Sequence, residues 1–347
     1  MQGRRNVWVA ASTAGLLAVL VGLIAQTRAA STPRMQAVSS LDACKRYAGL
    51  PDGFGRDPRA GMVAVPGGQF EPGSTQGHAD ERPAGRVRVE AFWIDRTEVT
   101  NAQFAAFVQA TGHVTGAERD GAGVVFKAPP REIATEAKSW WLYLKGADWR
   151  HPEGPGSDLR GRDNQPVVQV TLADAQAYAR WLGRELPTEA QWEWAARGGG
   201  DAERIDRLDR LDREPRAADG APQANYWQGL FPDLNTREDG YADRAPVGCY
   251  PANGYGLHDL IGNVWEWTQD DYRGARQPHG HGEPAAAVAA GAAATGSRAA
   301  GTAMVIKGGS FLCAANYCVR YRAAARHPQE SDLGVAHVGF RTVARQR

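Results

Sequence analysis

Two cysteines five positions apart, Cys313 and Cys318, lie in the segment KGGSFLCAANYCVRYR that runs from Lys307 to Arg322. Two sulfurs at that spacing can close a disulfide or hold a thiophilic ion such as Cu(I), because soft thiolates suit soft metals. Arg320 and Arg322 follow directly, and a neighbouring positive charge favours the thiolate over the thiol. Gly308 and Gly309 ahead of the pair permit close backbone approach, and Ser310 adds a hydroxyl that either serves the site or closes a turn. Spacing alone leaves disulfide and metal pair both open. The chain has four cysteines in all. Cys44 and Cys249 are either a structural disulfide or two buried small residues, since four cysteines allow three pairings and the sequence does not choose.

The elements that must position this segment are marked mostly by their ends. Thr100, Thr171 and Thr188 are each followed three residues on by Gln103, Asp174 and Gln191, which is a capping-box pattern. Apolar residues then recur on one face: Phe104, Phe107 and Val108 in the first helix, Ala175, Tyr178, Ala179 and Leu182 in the second. Trp192, Ala195 and Ala196 do so in the third. Gly112, Gly183 and Gly198 stop the three helices in the left-handed conformation. Met62–Val65 reads as a strand closed by a Pro-Gly turn, and Arg86–Ile94 alternates polar and apolar as a further strand. The remainder is short strands and long loops, so the fold class is α+β, a single compact domain with little regular secondary structure.

The chain has 347 residues, 43% hydrophobic and 23% charged, enough to bury a core. Its net charge of +1 gives no basic face for nucleic acid. Eleven tryptophans imply a loop-rich interior stapled by rings whose indole N–H groups need partners. Residues 1–30 read as a targeting segment: Arg4 and Arg5, an uncharged apolar run from Val7 to Ile24, then small residues around Ala29 and Ala30. It is a signal peptide or an uncleaved membrane anchor, and the folded part is expected to be exported, periplasmic or secreted. Residues 31–60 read as a tether, and residues 61–347 as the domain. The charged run Arg204–Arg216 reads as a surface insertion that could dock a partner, and the Ala/Gly-rich Pro278–Gly301 as a flexible linker.

The cysteine tail, with Val338-Gly339-Phe340-Arg341, resembles the active-site tail of the formylglycine-generating enzymes, the sulfatase-modifying factors. The resemblance runs through Pro66-Gly67-Gly68, Glu98-Val99-Thr100-Asn101, Leu186-Pro187-Thr188-Glu189, Asn225-Tyr226-Trp227 and Gly262-Asn263-Val264-Trp265-Glu266-Trp267, and covers residues 62–344. It implies a C-type-lectin-like fold. It also implies a copper-dependent oxidase that converts the cysteine of a Cys-x-Pro/Ala-x-Arg segment in an unfolded sulfatase polypeptide to formylglycine. Molecular oxygen and an external thiol reductant are the expected co-reactants, and the protein is expected to be a monomer. By the same resemblance Cys313 and Cys318 hold the Cu(I), Cys318 also forms the mixed disulfide with substrate, and Ser310 lines the pocket. Two positions depart from the family pattern: Ala314 after the first cysteine, and His337 before the closing Gly-Phe-Arg.

A structural Ca²⁺ is the second ion the resemblance implies, and such a hard ion takes six to eight oxygen ligands. One set of ligands maps onto Asn225, the carbonyl of Tyr226, Asp239 and the carbonyl of Tyr241. A second maps onto Asp259, the carbonyls of Gly262 and Val264, and Glu266, with Glu98 contributing nearby. Trp149, Arg150, Tyr317, Tyr321 and Arg322 are candidates for a peptide groove or for core packing. Two other function classes compete. One is a non-catalytic lectin-like binding module on the same fold; the other is an iron-dependent sulfoxide synthase, for which the eight histidines supply no helical triad.

Overall fold

Each of the three Thr-led helix starts forms as its local chemistry dictates. The computed structural model describes residues 41–128, 140–199, 213–276 and 302–346. The targeting segment, most of the charged insertion and the Pro278–Gly301 linker lie outside these residues. Among the described residues no helix is long and apolar enough to cross a membrane.

In chain order, helix α1 (Leu41–Arg46) precedes strands β1 (Met62–Val65), β2 (Gly68–Phe70), β3 (Val87–Val89) and β4 (Phe92–Asp95). Helix α2 (Asn101–Thr111) begins at Thr100, whose hydroxyl accepts from Gln103 N at 3.2 Å while Thr100 N donates to the Gln103 side chain at 3.0 Å. Helix α3 (Gly116–Asp120) carries the same box between Thr115 and Glu118, and leads into the hairpin β5 (Ala122–Phe126) and β6 (Trp141–Lys145). Helices α4 (Leu172–Trp181) and α5 (Glu189–Arg197) repeat the box at Thr171 and Thr188. Leu182 caps α4 rather than extending it, so its left-handed Gly183 lies one residue beyond the cap. A small hairpin, β7 (Gly229–Leu230) and β8 (Leu234–Asn235), precedes β9 (Trp265–Asp271), β10 (Ala303–Lys307), β11 (Arg326–Glu330), β12 (Val338–Gly339) and β13 (Val343–Arg345).

The expected strand Arg86–Ile94 divides at Glu90–Ala91, because its halves join different partners. β3 pairs with β2, whereas β4 is the middle of the sheet β1-β4-β13. The sheet that matters for the site is β11-β10-β9-β12. In it Glu266 of β9 stands between Lys307 of β10 and Gly339 of β12. The cysteine segment leaves directly from the end of β10, and His337 directly precedes β12.

Three buried clusters hold these layers together. The largest gathers Phe104, Phe107, Tyr178, Trp267 and Phe340 around Cys313. A second surrounds Trp192, and a third packs Trp140, Trp227, Phe231 and Phe311 against Ala314. The indoles find partners much as their chemistry requires. Trp192 donates to Glu266 at 2.7 Å, Trp267 to Val170 O at 3.0 Å and Trp227 to Leu234 O at 2.9 Å. The buried N–H groups of Trp140 and Trp149 have none.

The N-terminal boundary differs from the expected tether at residues 31–60. From α1 onward the chain is part of the domain: Cys44 is disulfide-bonded to Cys249, Asn164 donates to Cys44 O, and Arg184 donates to Pro58 O and Ala60 O. Small residues, Arg and Pro give residues 31–60 the composition of a tether, but the carbonyls of Cys44, Pro58 and Ala60 are bonded into the domain. The Cys44–Cys249 bond closes a sequence separation of 205. Replacing both cysteines by serine should lower stability by about 3–5 kcal/mol, mainly by freeing the unfolded chain. Urea unfolding midpoints check this.

Candidate active site

The segment after β10 can approach its neighbours because Gly309 carries no side chain. At φ 80°, a Cβ there would meet Arg320 O at 2.8 Å. The chain then folds back on itself: Cys313 N donates to Ser310 O, and Ala314 and Tyr317 exchange backbone bonds of 2.7 and 3.0 Å. This turn brings Cys313 and Cys318 together with Cα atoms 5.0 Å apart and their sulfurs joined. Cys313 is buried and Cys318 half-buried.

Both cysteines line a cleft of about 530 Å³ together with Ser310, Trp141, Trp265 and His337. Ser310 is buried and its hydroxyl accepts from Leu312 N at 3.3 Å, so it serves the turn and the cleft at once. A larger cleft of about 1010 Å³, near Arg88 and Arg345, contains no sulfur. The floor is braced from two sides. Trp227 N donates to Cys313 O, and Phe311 N donates to Asn263 O. The two departures from the family pattern have different consequences. Ala314 is sealed in the aromatic cluster behind the turn, whereas His337 faces the cleft with Trp141 edge-on at 4.7 Å. Burial pushes the His337 imidazole down to about 3, and the nearby His327 charge adds to this, so it is neutral at neutral pH.

The expected oxygen ligands gather behind this turn. Asp259, Gly262 and Asn263 all have positive φ, at 55°, 77° and 52°. Gly is free to adopt that conformation, and Asp and Asn tolerate it best among the rest. A Cβ on Gly262 would meet Asn225 O at 2.1 Å, so the segments carrying the two candidate sets touch through a position only glycine fits. Asn263 links the sets, donating to Glu98 at 3.0 Å and accepting from Asn225 at 3.1 Å.

The second set crowds three buried carboxyl groups around one buried cation. Glu98, Asp259 and Glu266 are all buried, and the buried cation Arg341 pairs with Glu266 at 2.7 Å through two of its nitrogens. Glu98 Oε2 and Asp259 Oδ1 are buried with no hydrogen-bond partner. Burial raises the pKa of Glu98 well above the usual carboxylate range, and the charge of Asp259 raises it further. Two orphaned carboxylate oxygens on buried side chains close enough to act on each other's charge are donors that suit a hard cation. Glu266 is committed to Arg341 and Trp192 rather than free. In the first set Asp239 accepts from Tyr226 N, Tyr241 N and the Gln228 amide, which satisfies it within the protein. Among the described residues no group of three or more His, Cys, Asp or Glu side chains is arranged to hold a metal, so backbone oxygens would have to complete either set.

Some candidates lie elsewhere. Trp149 is in the main core against Phe104, and Arg150 pairs at the surface with Glu118. Arg322 and Tyr321 are buried. Tyr317 does line the cleft, stacked on Phe231 at 4.3 Å. Arg320, flanking Cys318 as the sequence has it, lines the cleft, whereas Trp141, Trp265 and His327 were not anticipated there. They come from separate strands and loops, and nothing local in the sequence announces that they meet.

Residues 47–346 match the model of the sulfatase-modifying factor enzyme 1-like domain. The formylglycine-generating enzyme of Thermomonospora curvata is 47% identical over 294 residues, covering 82% of this chain and 93% of that protein. An inactive Cα-formylglycine-generating enzyme 2 of Bos taurus is 40% identical, covering 65% of this chain and 75% of that protein. Among solved structures, PvdO of Pseudomonas aeruginosa aligns over 81% of this chain and 93% of its own, with a TM-score of 0.55 at 21% identity.

Proposed function

The chain belongs to the formylglycine-generating enzyme (sulfatase-modifying factor) family, and on that premise we propose that it oxidises a client protein's cysteine to formylglycine. The observation that carries this reading is the Cys313–Cys318 pair facing an open cleft. Clients of the form Cys-x-Pro/Ala-x-Arg in unfolded sulfatases are the expected substrates. The net change replaces the client's Cβ–SH by an aldehyde and releases hydrogen sulfide. Oxygen is reduced to water with two further electrons from an external thiol.

In their reduced form Cys313 and Cys318 would hold Cu(I), and this donor set fits, being two soft sulfurs brought together by one turn. When bound, copper would supply oxygen activation. The chain's own residues do the rest. Buried Cys313 anchors the site, half-buried Cys318 is the sulfur a client can reach, and Ser310 holds the turn that presents both. Neutral His337 offers the incoming peptide a hydrogen-bonding group without charge. The Cys44–Cys249 disulfide supports an oxidising, exported location, where clients would be met before they fold.

The non-catalytic reading has one specific support, the similarity to a relative named as inactive. Copper titration separates the two. The reduced protein should bind one Cu(I) against a competing chelator, and the Cys313→Ser variant should not. Equal binding by the two proteins, or none by either, would remove the oxidase reading.

We also assign Ca²⁺ to the Glu98–Asp259 set, on the two orphaned carboxylate oxygens. Calcium at a hundred times its Kd should add about 2.7 kcal/mol of stability. That corresponds to a rise in Tm on the order of 5 °C, reversed by chelation. Unchanged melting with and without chelator would refute the site.

A further inference from the structure

Cys318 and Val319 both lie in the left-handed region, at φ 72° and 44°. A β-branched residue there is a true outlier, and such backbone persists only where its surroundings over-determine it. The surroundings here are specific. Arg322, wholly buried, donates from Nε to the Val319 carbonyl at 2.9 Å. Its Nη2 meets the equally buried Glu81, with Oε1 at 2.8 Å and Oε2 at 2.7 Å. Arg320, which faces the cleft, reaches Glu81 Oε1 at 3.0 Å and Asp80 Oδ2 at 3.2 Å. Both carboxylates sit on one short turn, Ala79–Glu81, and that turn is itself fixed. His78 N donates to Glu81 Oε2 at 3.1 Å, and the Tyr272 hydroxyl donates to Asp80 at 2.9 Å.

One turn about 240 residues away in sequence therefore grips the two arginines that follow Cys318, and one of them pins the strained carbonyl. We propose that Glu81, acting through Arg322, is a positioning residue that keeps Cys318 within reach of Cys313 while leaving it open to the cleft. The inference rests on the proposed function only in taking Cys318 as the sulfur that meets the client. The contacts stand without it. Loss of the Glu81 charge frees the Arg322 fork, relaxes the backbone at Val319 and lowers the effective concentration of one sulfur at the other.

The test is redox equilibration of the protein and its Glu81→Gln variant over graded ratios of reduced to oxidised dithiothreitol. Alkylation and peptide mass spectrometry then read each cysteine. Two electrons and two protons pass from the dithiol, which closes to its own disulfide, to the protein's sulfur–sulfur bond, which becomes two thiols. Cys44–Cys249 is an internal reference in the same molecule. The expected result is a Cys313–Cys318 midpoint at a reductant ratio roughly tenfold lower in Glu81→Gln, with the Cys44–Cys249 midpoint unmoved. An unmoved Cys313–Cys318 midpoint, or an equal shift at both disulfides, overturns the proposal. Should Glu81→Gln fail to fold, Arg322→Lys carries the same expectation, because an ammonium cannot bond the carbonyl and the carboxylate in one rigid fork. Neither copper nor client peptide enters the assay, so its outcome is independent of whether the oxidase reading holds.

Discussion

A Cys318→Ser variant, supplied with Cu(I), oxygen and a thiol reductant, is expected to leave a Cys-x-Pro-x-Arg peptide unconverted. The rate should fall by roughly a thousandfold or more, the scale seen when a reacting side chain is removed from a working site. Serine oxygen is a hard, poor ligand for Cu(I) and cannot exchange with a client thiol. Cys318 is only half-buried, so the substitution opens no cavity in the main core. Circular dichroism should therefore report an intact fold alongside the lost activity. Conversion at the parent rate would show that the pair is structural and that the chemistry lies elsewhere.

The second large effect concerns stability. Arg341 is the buried cation closest in role to the three carboxylates Glu98, Asp259 and Glu266, and it bonds Glu266 through two nitrogens. It also donates to Asp95 O and His258 O, tying β4, β9 and the 258–263 turn to the link between β12 and β13. Arg341→Leu removes the cation and leaves Glu266 buried with an uncompensated charge. Breaking a buried pair in this way costs about 3–5 kcal/mol, a large share of the 5–15 kcal/mol typical of folded proteins, roughly. The expected result is a urea midpoint shifted to much lower denaturant with little change in slope. A loss below about 1 kcal/mol, the scale of an exposed ion pair, would show that the carboxylates are neutral or otherwise compensated.

What could be read from the sequence was what is encoded locally. The boxes at Thr100, Thr171 and Thr188 depend on contacts three residues apart, and all three form. The box at Thr115–Glu118 was overlooked because its helix is five residues long, too short for an apolar period to show. The division of Arg86–Ile94 was invisible for a different reason. Alternation marks a strand but not the sheet it joins, and here the two halves join different sheets. Cys313 and Cys318 were legible as a pair because they are close in sequence. The grip of Glu81 on Arg320 and Arg322 was not, because no spacing rule connects residues about 240 positions apart. The same limit applies to Cys44 and Cys249, whose bond places residues 41–60 in the domain rather than in a tether. The family resemblance supplied the candidate oxygen ligands. The structure adds that Glu266 is already engaged by Arg341, which leaves Glu98 and Asp259 as the carboxyl groups of that set with an unpartnered oxygen.

The central claim is that the cysteine pair oxidises a client thiol, and the most direct measurement follows that thiol. The reduced, copper-loaded protein is incubated aerobically with a Cys-x-Pro-x-Arg peptide and a thiol reductant, and the peptide is followed by mass spectrometry with an aldehyde-trapping amine. The account predicts time-dependent loss of the peptide thiol and matching gain of a trappable aldehyde, dependent on Cu(I) and oxygen. A peptide that keeps its thiol throughout, in the presence of protein shown to hold Cu(I), would contradict it.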